Sequence, residues 1–414
     1  MYQKKKVLLL AYACEPNTGS EKGVGWNMAK YLSENNDVYV LTRGYCRDKI
    51  EETVKKESLN ITFLYYDIPR YMFFNETKNW GEQINYILWQ IKSRSFVKRM
   101  HRKYGFDLLH HITFNQYRTP SPGFHSDIPF VMGPVGGAET ISPSFDQDLD
   151  HHTWKKEKIR RKGRDLKIFN RWVKKRKNKK YFLFSTKENV SRLTPYCENY
   201  PVLLLPAIAF DPEDFQTERS GAVQSGTFEM IYAGRAEDWK GIKIFLYSVR
   251  KAFINNNIHN FKIKLIGIRF ENEKENVLSW VKGAGLEDYT ELISFIPRAH
   301  LLKMLVSANV FIYPAFRDSG SMGVLEACVL GCPTLCFNVG GQDAFPDDIL
   351  LKVPVADSYK ENLDNFASKL VWIYRNQPQA KSIGENAKEY VYRNFTWRQK
   401  VAEIEKVYDL LLKE

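Results

Sequence analysis

The loop that runs from Pro314 to Ala327 carries two carboxylates whose spacing could serve chemistry. It reads PAFRDSGSMGVLEA, with Asp318 before an expected helix and Glu326 inside that helix. The N–H groups at the start of a helix can bind phosphate oxygens. Carboxylates on either side can accept hydrogen bonds from hydroxyl groups. Together these groups suit a ligand that combines a diphosphate with hydroxyls, such as a nucleotide sugar.

A second loop places two cations five residues apart. Residues 234–241 read GRAEDWKG and follow the predicted strand Met230–Ala233. Arg235 can bind phosphate oxygens with its forked guanidinium, while Lys240 acts as a point charge. The two side chains therefore suit a diphosphate, and the alternative is a pair of solvated charges.

A third loop follows the first predicted strand and contains Gly19, Gly23 and Gly25. Glycines allow the backbone to approach a ligand closely, and the helix that follows offers N–H groups to an anion. The spacing is not GxGxxG and no Walker lysine follows, so neither NAD nor ATP is indicated. A purely structural glycine loop is the alternative.

The elements that position these loops are short apolar segments that alternate with helical patterns. Strict alternation indicates an α/β fold with parallel sheets wound on both faces. Ligands bind outside the carboxyl ends of the strands in such sheets, so we expect the site in a cleft between two domains. The predicted strands are Val7–Ala11, Asp37–Leu41, Ile61–Tyr66, Leu108–His111, Pro129–Met132, Phe182–Ser185, Val202–Leu205, Met230–Ala233, Lys262–Gly267, Leu292–Ile296, Val310–Pro314, Thr334–Phe337 and Leu350–Val353.

The length of the chain suggests two or three domains of roughly 150 residues each. We predict a Rossmann-like domain over 1–206 with an insertion at about 150–180, a linker over 207–226, a second Rossmann-like domain over 227–394, and a C-terminal helix over 395–414. No apolar run approaches the roughly 20 residues of a membrane span. The six cysteines lack metal-binding spacing and fit the reduced thiols of a cytosolic protein.

The positive charge of the chain is concentrated in residues 155–180. The formal net charge is +13, and this segment holds 15 lysines and arginines against two acidic residues. Leu166, Phe169, Trp172 and Val173 recur there at helical spacing, which predicts a basic amphipathic helix. Three interpretations stay open: a solvated helix packed on the body of the protein, attachment to an anionic membrane surface, or a nucleic-acid arm. No recognised nucleic-acid motif accompanies the charge, so nucleic acid is not expected as a partner.

Residues 228–410 resemble, in order and spacing, the donor domain of family 4 retaining glycosyltransferases. That family has a glycine and an arginine, then a lysine and a glycine, after one strand, like Gly234-Arg235 and Lys240-Gly241 here. It also has two acidic residues separated by seven others, like Asp318 and Glu326. The first half of the chain resembles the family more loosely. The resemblance implies the GT-B fold, in which two Rossmann-like domains face each other across a cleft and a C-terminal helix crosses back.

The resemblance also implies roles for residues of these loops. Arg235 and Lys240 would neutralise the charge that grows on the donor diphosphate as the glycosidic bond breaks. Glu326 would hold the ribose hydroxyls, and Asp318 would hold the donor sugar. Neither a metal nor a cofactor is implied. Further donor contacts are expected at Gly19, Gly23, Ile296, Gly320, Ser321, Met322 and Gly323.

A histidine at the end of a strand of the first domain would contact the sugar near the reacting carbon. His110 fits the first histidine of the family's His-x-His stretch, whereas Ile112 occupies the second. Adjacent His111 is therefore kept as a candidate, and a structural role is the alternative for both histidines. Glu139 is a further candidate for the cleft.

Two features depart from the family pattern: Asp318 replaces a glutamate, and Ser319-Gly320-Ser321 replaces a glycine, an aromatic residue and a glycine. Both leave the identity of the sugar open. We expect retaining transfer of a hexose from a nucleotide-diphosphate sugar to a hydroxyl of a glycan. The acceptor would be polyprenol-linked, in cell-surface polysaccharide synthesis at the cytoplasmic membrane face. The alternatives are a non-catalytic GT-B protein that binds a glycan or RNA, and a GT-B sugar epimerase or phosphorylase.

Overall fold

The computed structural model describes residues 4–75, 79–215 and 226–413. Residues 216–225 of the predicted linker lie outside the described residues. Within the described ranges, no helix is long and apolar enough to cross a membrane.

The chain divides into two compact units. The first unit comprises Met1–Ala138, Gly163–Ala207 and Trp397–Glu414. The second unit comprises Glu139–Lys162 and Ile208–Thr396.

The first unit contains a parallel sheet of seven strands. Its strands are β1 (Lys6–Leu10), β2 (Asp37–Thr42), β3 (Ile61–Tyr65), β4 (Leu108–His111), β5 (Phe130–Val135), β6 (Lys180–Phe184) and β7 (Val202–Leu204). Their order across the sheet is β3-β2-β1-β4-β5-β6-β7. The strand order reverses between β1 and β4, as in other doubly wound sheets. Residues Val7–Leu10 of β1 are completely buried because helices cover both faces of a parallel sheet.

The second unit contains a parallel sheet of six strands. Its strands are β8 (Phe228–Ala233), β9 (Phe261–Ile266), β10 (Thr290–Ile293), β11 (Val310–Tyr313), β12 (Thr334–Phe337) and β13 (Leu351–Val353), in the order β10-β9-β8-β11-β12-β13. Each predicted strand overlaps an observed strand, and the predicted α/β fold with two Rossmann-like sheets is confirmed. The largest displacement is at β10, which begins two residues before the predicted Leu292–Ile296.

Helices connect the strands of both sheets. The α-helices of the described residues are α1 (Ser20–Leu32), α2 (Arg47–Lys56), α3 (Asn79–Tyr104), α4 (His151–Arg161), α5 (Leu166–Val173), α6 (Lys187–Leu193), α7 (Ile242–Ala252), α8 (Glu271–Ala284), α9 (Arg298–Ser307), α10 (Met322–Val329), α11 (Tyr359–Arg375), α12 (Gln377–Asn394) and α13 (Trp397–Lys413).

The C-terminal helix α13 packs on the first unit. Ile404 and Tyr408 are fully buried there. The side-chain amide of Asn36 donates to Glu405 Oε1 at 2.7 Å, and the Lys400 ammonium donates to the carbonyl of Pro206. The last helix therefore belongs to the sheet formed by the first half of the chain.

Residues 139–162 belong to the second unit, whereas the sequence pattern predicts them as part of the first domain. Phe145 is fully buried and stacks on Phe316 with 4.0 Å between ring centroids. It also contacts the edge of Phe337 at a centroid distance of 5.0 Å. The attribution to the first domain was wrong because one aromatic residue in a polar stretch gives no periodic signal.

The amphipathic helix predicted within residues 155–180 is confirmed, and it is α5 (Leu166–Val173). The segment forms α4 and α5, separated by Gly163, whose backbone is left-handed with a φ of 61°. Leu166, Phe169 and Val173 of α5 are buried in the core of the first unit. Their apolar face is thus covered by the protein itself, and the lysines and arginines around it stay at the surface.

The packing of Phe145 predicts a large loss of stability in Phe145→Ala. Removing a fully buried aromatic ring typically lowers the free energy of unfolding by about 3–5 kcal/mol. Urea unfolding of the full chain, followed by tryptophan fluorescence, would measure it. The control is Phe270→Ala, because Phe270 is 61% exposed in the same unit. An equal, small effect of both substitutions would contradict the assigned packing of residues 139–162.

Candidate functional site

Three loops of the second unit follow β8, β11 and β12, which are neighbours in the sheet. Gly241 and Gly340 have left-handed backbones, with φ of 71° and 54°. A β-carbon on Gly241 would collide with the carbonyl oxygen of Pro314. A β-carbon on Gly340 would collide in the same way with the carbonyl oxygen of Asp318. Glycine at these two positions therefore lets the loops meet at the carboxyl ends of the strands.

Lys240 and Asp318 form the central ion pair of this loop cluster. Lys240 Nζ lies 2.6 Å from Asp318 Oδ2 and donates to the Tyr313 hydroxyl oxygen at 3.2 Å. Tyr313 donates in turn to Asp318 Oδ2. Asp318 Oδ1 accepts a hydrogen bond from the Gly320 N–H at 3.1 Å. Because the side chains of Lys240 and Asp318 are 13% and 20% exposed, the pair is largely buried but reachable from solvent.

The charge state of Asp318 follows from its surroundings. Burial raises the pKa of this carboxyl, but the Lys240 ammonium and hydrogen bonds from Lys240, Tyr313 and Gly320 outweigh that effect. The net result is a pKa below the ordinary value, so Asp318 is ionised at neutral pH and acts only as an acceptor. Burial and the charge of Asp318 raise the pKa of Tyr313, which stays a hydroxyl donor. A ligand hydroxyl beside Asp318 would donate to it.

Arg235 lies at the end of β8 with its guanidinium at the surface. Its side chain is 56% exposed, and Nη1 lies 3.3 Å from Glu237 Oε1. The Tyr232 hydroxyl donates to the backbone carbonyl of Arg235 at 2.7 Å. The backbone is therefore held in place while most donors of the guanidinium stay available to an anion.

The start of α10 offers backbone N–H groups. Ser321 precedes the helix in a left-handed conformation, with a φ of 40°, and its hydroxyl donates to Gln342 Oε1 at 2.9 Å. The first intrahelical bond runs from Val324 N–H to the Ser321 carbonyl at 3.0 Å. The N–H groups of Met322 and Gly323 precede that bond, in the first turn, where no helical carbonyl can accept from them. A phosphate oxygen is the kind of acceptor that such a terminus binds.

Glu326 has a partner 28 positions away in the chain. Arg298 Nε lies 2.6 Å from Glu326 Oε1, and the guanidinium also lies 4.8 Å from the ring centroid of Phe215. Ile296 lies two residues before Arg298 in the loop after β10, half-buried. One oxygen of Glu326 thus has a cationic donor, and a carboxylate can accept further hydrogen bonds.

Sequence reasoning missed the buried carboxylate of Glu157. Its Oε2 lies 2.8 Å from Arg317 Nη1, and its Oε1 accepts from the Ile141 N–H at 3.1 Å. Arg317 immediately precedes Asp318, and its guanidinium lies 5.4 Å from the Trp239 ring centroid. Because 160 positions separate Glu157 from Arg317, no local pattern could have revealed the pair.

Gly19 and Gly23 lie in the first unit, in the loop before α1 and in its first turn. A β-carbon on Gly23 would collide with the carbonyl oxygen of Thr18, which explains on structural grounds why this position is a glycine. Gly19 has open space around the position of a β-carbon. The loop is tied by Glu15, whose carboxylate lies 2.9 Å from the ammonium of Lys22. A donor contact at either glycine stays a prediction.

His110 and His111 are both fully buried in the first unit, as is nearly all of Glu139 in the second. The ring nitrogens of His110 lie 2.6 Å from the Tyr408 hydroxyl and 2.9 Å from the Gly133 carbonyl. Those of His111 lie 2.9 Å from the Ser121 hydroxyl and 3.0 Å from a backbone carbonyl. Burial lowers the pKa of His110 to about 3 and that of His111 to about 4. These contacts give each ring a structural role, and a catalytic role for either stays a prediction.

Part of the chain matches a known family of sequences. Residues 214–390 match the sequence model of the family described as "Glycosyl transferases group 1". An uncharacterized glycosyltransferase of Methanocaldococcus jannaschii is 22% identical over 187 residues, which are 44% of this chain and 45% of that protein. The chain spans less than half the length of the curated relatives it matches.

Solved structures show the same fold over the whole chain. Sucrose-phosphate synthase from Thermosynechococcus elongatus has a TM-score of 0.68 at 17% identity, covering 99% of this chain and 100% of that one. Anabaena Alr3699/HepE in complex with UDP and glucose has a TM-score of 0.63 at 12% identity, covering 98% and 99%. Identities this low show the fold alone. The family match thus covers residues 214–390, and the chain as a whole has the fold of these solved structures.

The Lys240–Asp318 pair predicts a shift of the Asp318 pKa in Lys240→Met. Burial raises the pKa of Asp318, and without the ammonium only hydrogen bonds from neutral groups oppose that effect. The pKa of Asp318 should therefore rise. In the wild type, the lowered pKa of Asp318 stabilises the folded protein at pH values above the pKa that this side chain has in the unfolded chain. That contribution is lost as the pH falls through the folded pKa.

Carbon-13 NMR titration of the aspartate carboxyl carbons would measure the shift. Lys262→Met removes an exposed lysine of the same unit and should leave Asp318 unchanged. An Asp318 pKa that is identical in the wild type and Lys240→Met would show that the ion pair does not hold the carboxylate ionised.

Proposed function

We propose that the chain is a retaining glycosyltransferase of family 4 that moves a hexose from a nucleotide-diphosphate sugar to a hydroxyl of a glycan acceptor. The observation that carries the proposal is the convergence of the Lys240–Asp318 pair with the first turn of α10. A cation, free N–H groups and an ionised carboxylate then lie on adjacent loops of one unit. That combination matches a diphosphate joined to a polyhydroxyl group.

The donor diphosphate would bind to the guanidinium of Arg235, the ammonium of Lys240 and the N–H groups of Met322 and Gly323. Arg235 is suited to this task because its guanidinium is exposed. Lys240 is suited because it is already fixed by its partners and needs little reorganisation to meet developing charge. Glu326 would accept hydrogen bonds from the ribose, with Arg298 holding its carboxylate in place.

The transfer step breaks the bond between the anomeric carbon and the diphosphate oxygen, and the electron pair leaves with the diphosphate. The acceptor oxygen bonds to the anomeric carbon, and its proton passes to the departing phosphate oxygen. Lys240 and Arg235 would neutralise the charge that grows on the leaving group. Asp318 would orient the sugar through a hydroxyl, because it is ionised and accepts only.

The nature of the donor is supported by the Anabaena neighbour, which was solved with UDP and glucose. The acceptor part of the proposal, a polyprenol-linked glycan of a surface polysaccharide at the cytoplasmic face of a membrane, rests on the basic charge of residues 155–180. Neither a metal nor another cofactor forms part of the proposal.

A donor should stabilise the purified chain without added metal. We expect one of the UDP-, GDP-, ADP- or TDP-linked sugars to raise the melting temperature, because a ligand at 100 times its dissociation constant contributes about 2.7 kcal/mol. A thermal-shift screen followed by calorimetry would measure this. If no nucleotide sugar of the panel raises the melting temperature of a folded sample, the result would instead support a non-catalytic GT-B protein.

Lys240→Ala should lose about 10²–10³ in kcat with the donor found in that screen, because a group aimed at developing charge is removed. Steady-state kinetics would measure the loss. The control is Lys262→Ala, which removes an exposed lysine of the same unit. A Lys240→Ala variant that keeps the wild-type melting behaviour and lies within about fivefold of wild-type kcat would refute the proposed role.

A further inference from the structure

The first unit contains a cavity of about 560 Å³ that no step of the proposed transfer uses. Three of its lining residues, Phe106, Pro129 and Arg176, precede β4, β5 and β6 in the chain. The cavity therefore lies at the amino-terminal ends of these strands, the sheet edge opposite to their carboxyl ends. Its volume falls within the range of roughly 300–1,000 Å³ that is usual for ligand pockets.

The lining of the cavity is apolar on one side and basic on the other. Val97, Phe106 and Ile128 contribute buried apolar surface. Four lysine and arginine side chains also line it, against one carboxylate, Asp127. That carboxylate is 87% exposed and lies 3.8 Å from the Arg176 guanidinium, so it does little to neutralise the interior. The four cations are Arg94, Lys98, Arg102 and Arg176.

Two nitrogen atoms of the lining side chains are buried without a hydrogen-bond partner among the described residues. They are Arg94 Nε and His125 Nε2. The Arg94 guanidinium is anchored at another corner, where Nη2 donates to the Pro120 carbonyl at 3.3 Å. A buried polar group without a partner is unfavourable and calls for an explanation. Both atoms have almost no solvent-accessible surface, so a ligand in the cavity would meet the lysine and arginine side chains of the lining rather than these two nitrogens.

The tautomer of His101 provides a hydrogen-bond donor in the lining. Its Nδ1 accepts a hydrogen bond from the Phe106 N–H at 3.1 Å, so the hydrogen of the neutral ring is on Nε2. His101 thus adds an N–H donor to a lining that already holds four lysine and arginine side chains. A multivalent oxyanion is the ligand chemistry that accepts from several such donors at once.

We propose that this cavity binds a phosphorylated amphiphile, with the phosphate at the lysine and arginine side chains of the lining and the hydrocarbon chain along Val97, Phe106 and Ile128. The charge complementarity selects the phosphate, and the apolar wall selects the chain. Such a molecule is either soluble or a lipid of an anionic bilayer, and the same chemistry recognises both. The site is independent of the donor site because all of its residues belong to the first unit.

The titration of His125 agrees with this site and supplies a readout. Burial, followed by the positive charges of Arg94, Lys175 and Arg176, lowers its pKa to about 4. A bound phosphate would counter those charges, so the pKa of His125 should rise when the ligand is present. Histidine-selective NMR of the full chain measures that pKa directly and does not depend on enzymatic activity.

Calorimetry of the full chain with octyl phosphate would test the proposal, beside inorganic phosphate and octyl glucoside. We expect octyl phosphate to bind most tightly, since it alone carries both the charge and the chain. The double variant Lys98→Ala with Arg102→Ala should weaken this binding by about tenfold or more. The matched control is Lys55→Ala with Lys56→Ala, which removes two exposed cations from α2.

Three results would overturn the proposal. If inorganic phosphate binds as tightly as octyl phosphate, the hydrocarbon chain does not contribute to binding. An equal effect of the two double variants would show non-specific charge attraction. Binding that is lost in Lys240→Ala but kept in Lys98→Ala with Arg102→Ala would assign the ligand to the donor site.

Vesicles separate the two sources of the ligand. Sedimentation with phosphatidylglycerol vesicles that depends on Lys98 and Arg102 identifies a bilayer lipid. Binding of octyl phosphate without vesicle binding identifies a soluble amphiphile. Either result, combined with a raised His125 pKa, supports the site.

Discussion

The arrangement of the second unit's loops depends on the ion pair between Lys240 and Asp318. The two side chains come from loops after different strands, and each is largely buried. Removing one partner of such a pair leaves an uncompensated charge in a poorly solvated place, which is far more costly than losing a surface ion pair. The loops can approach closely enough to form the pair because Gly241 and Gly340 adopt left-handed backbones against the neighbouring loop. The same pair keeps the carboxylate of Asp318 ionised and therefore an acceptor.

The inserted segment 139–162 contacts both the loop that carries Lys240 and the loop that carries Asp318. The Asp150 N–H donates to Asp238 Oδ2 at 2.6 Å, two positions before Lys240. Glu157 pairs with Arg317 at 2.8 Å, one position before Asp318. The segment thus contacts each loop beside its charged residue, and Phe145 anchors it in the apolar core. A piece of chain that interrupts the first unit in sequence consequently contributes to the candidate site of the second unit.

The lysines and arginines of residues 155–180 have several different roles in the structure. Arg161 lies 2.7 Å from the Ile141 carbonyl and helps to hold the inserted segment. Lys180 is buried, and burial lowers its pKa to about 8. Arg176 lines the cavity of the first unit. A uniform run of cations in the sequence therefore does not correspond to a uniform basic surface.

The sequence alone determined the strands, their parallel α/β arrangement and the loops that carry Arg235, Lys240, Asp318 and Glu326. These features are local, because apolar periodicity and the residues that follow a strand can be seen in a short window. Only the tertiary structure decided which side chains meet. The Glu157–Arg317 pair joins residues 160 positions apart. The burial of both candidate histidines depends on packing, in which α13 contributes a hydroxyl to His110. Such long-range contacts depend on how whole elements pack, which no local pattern of residues encodes.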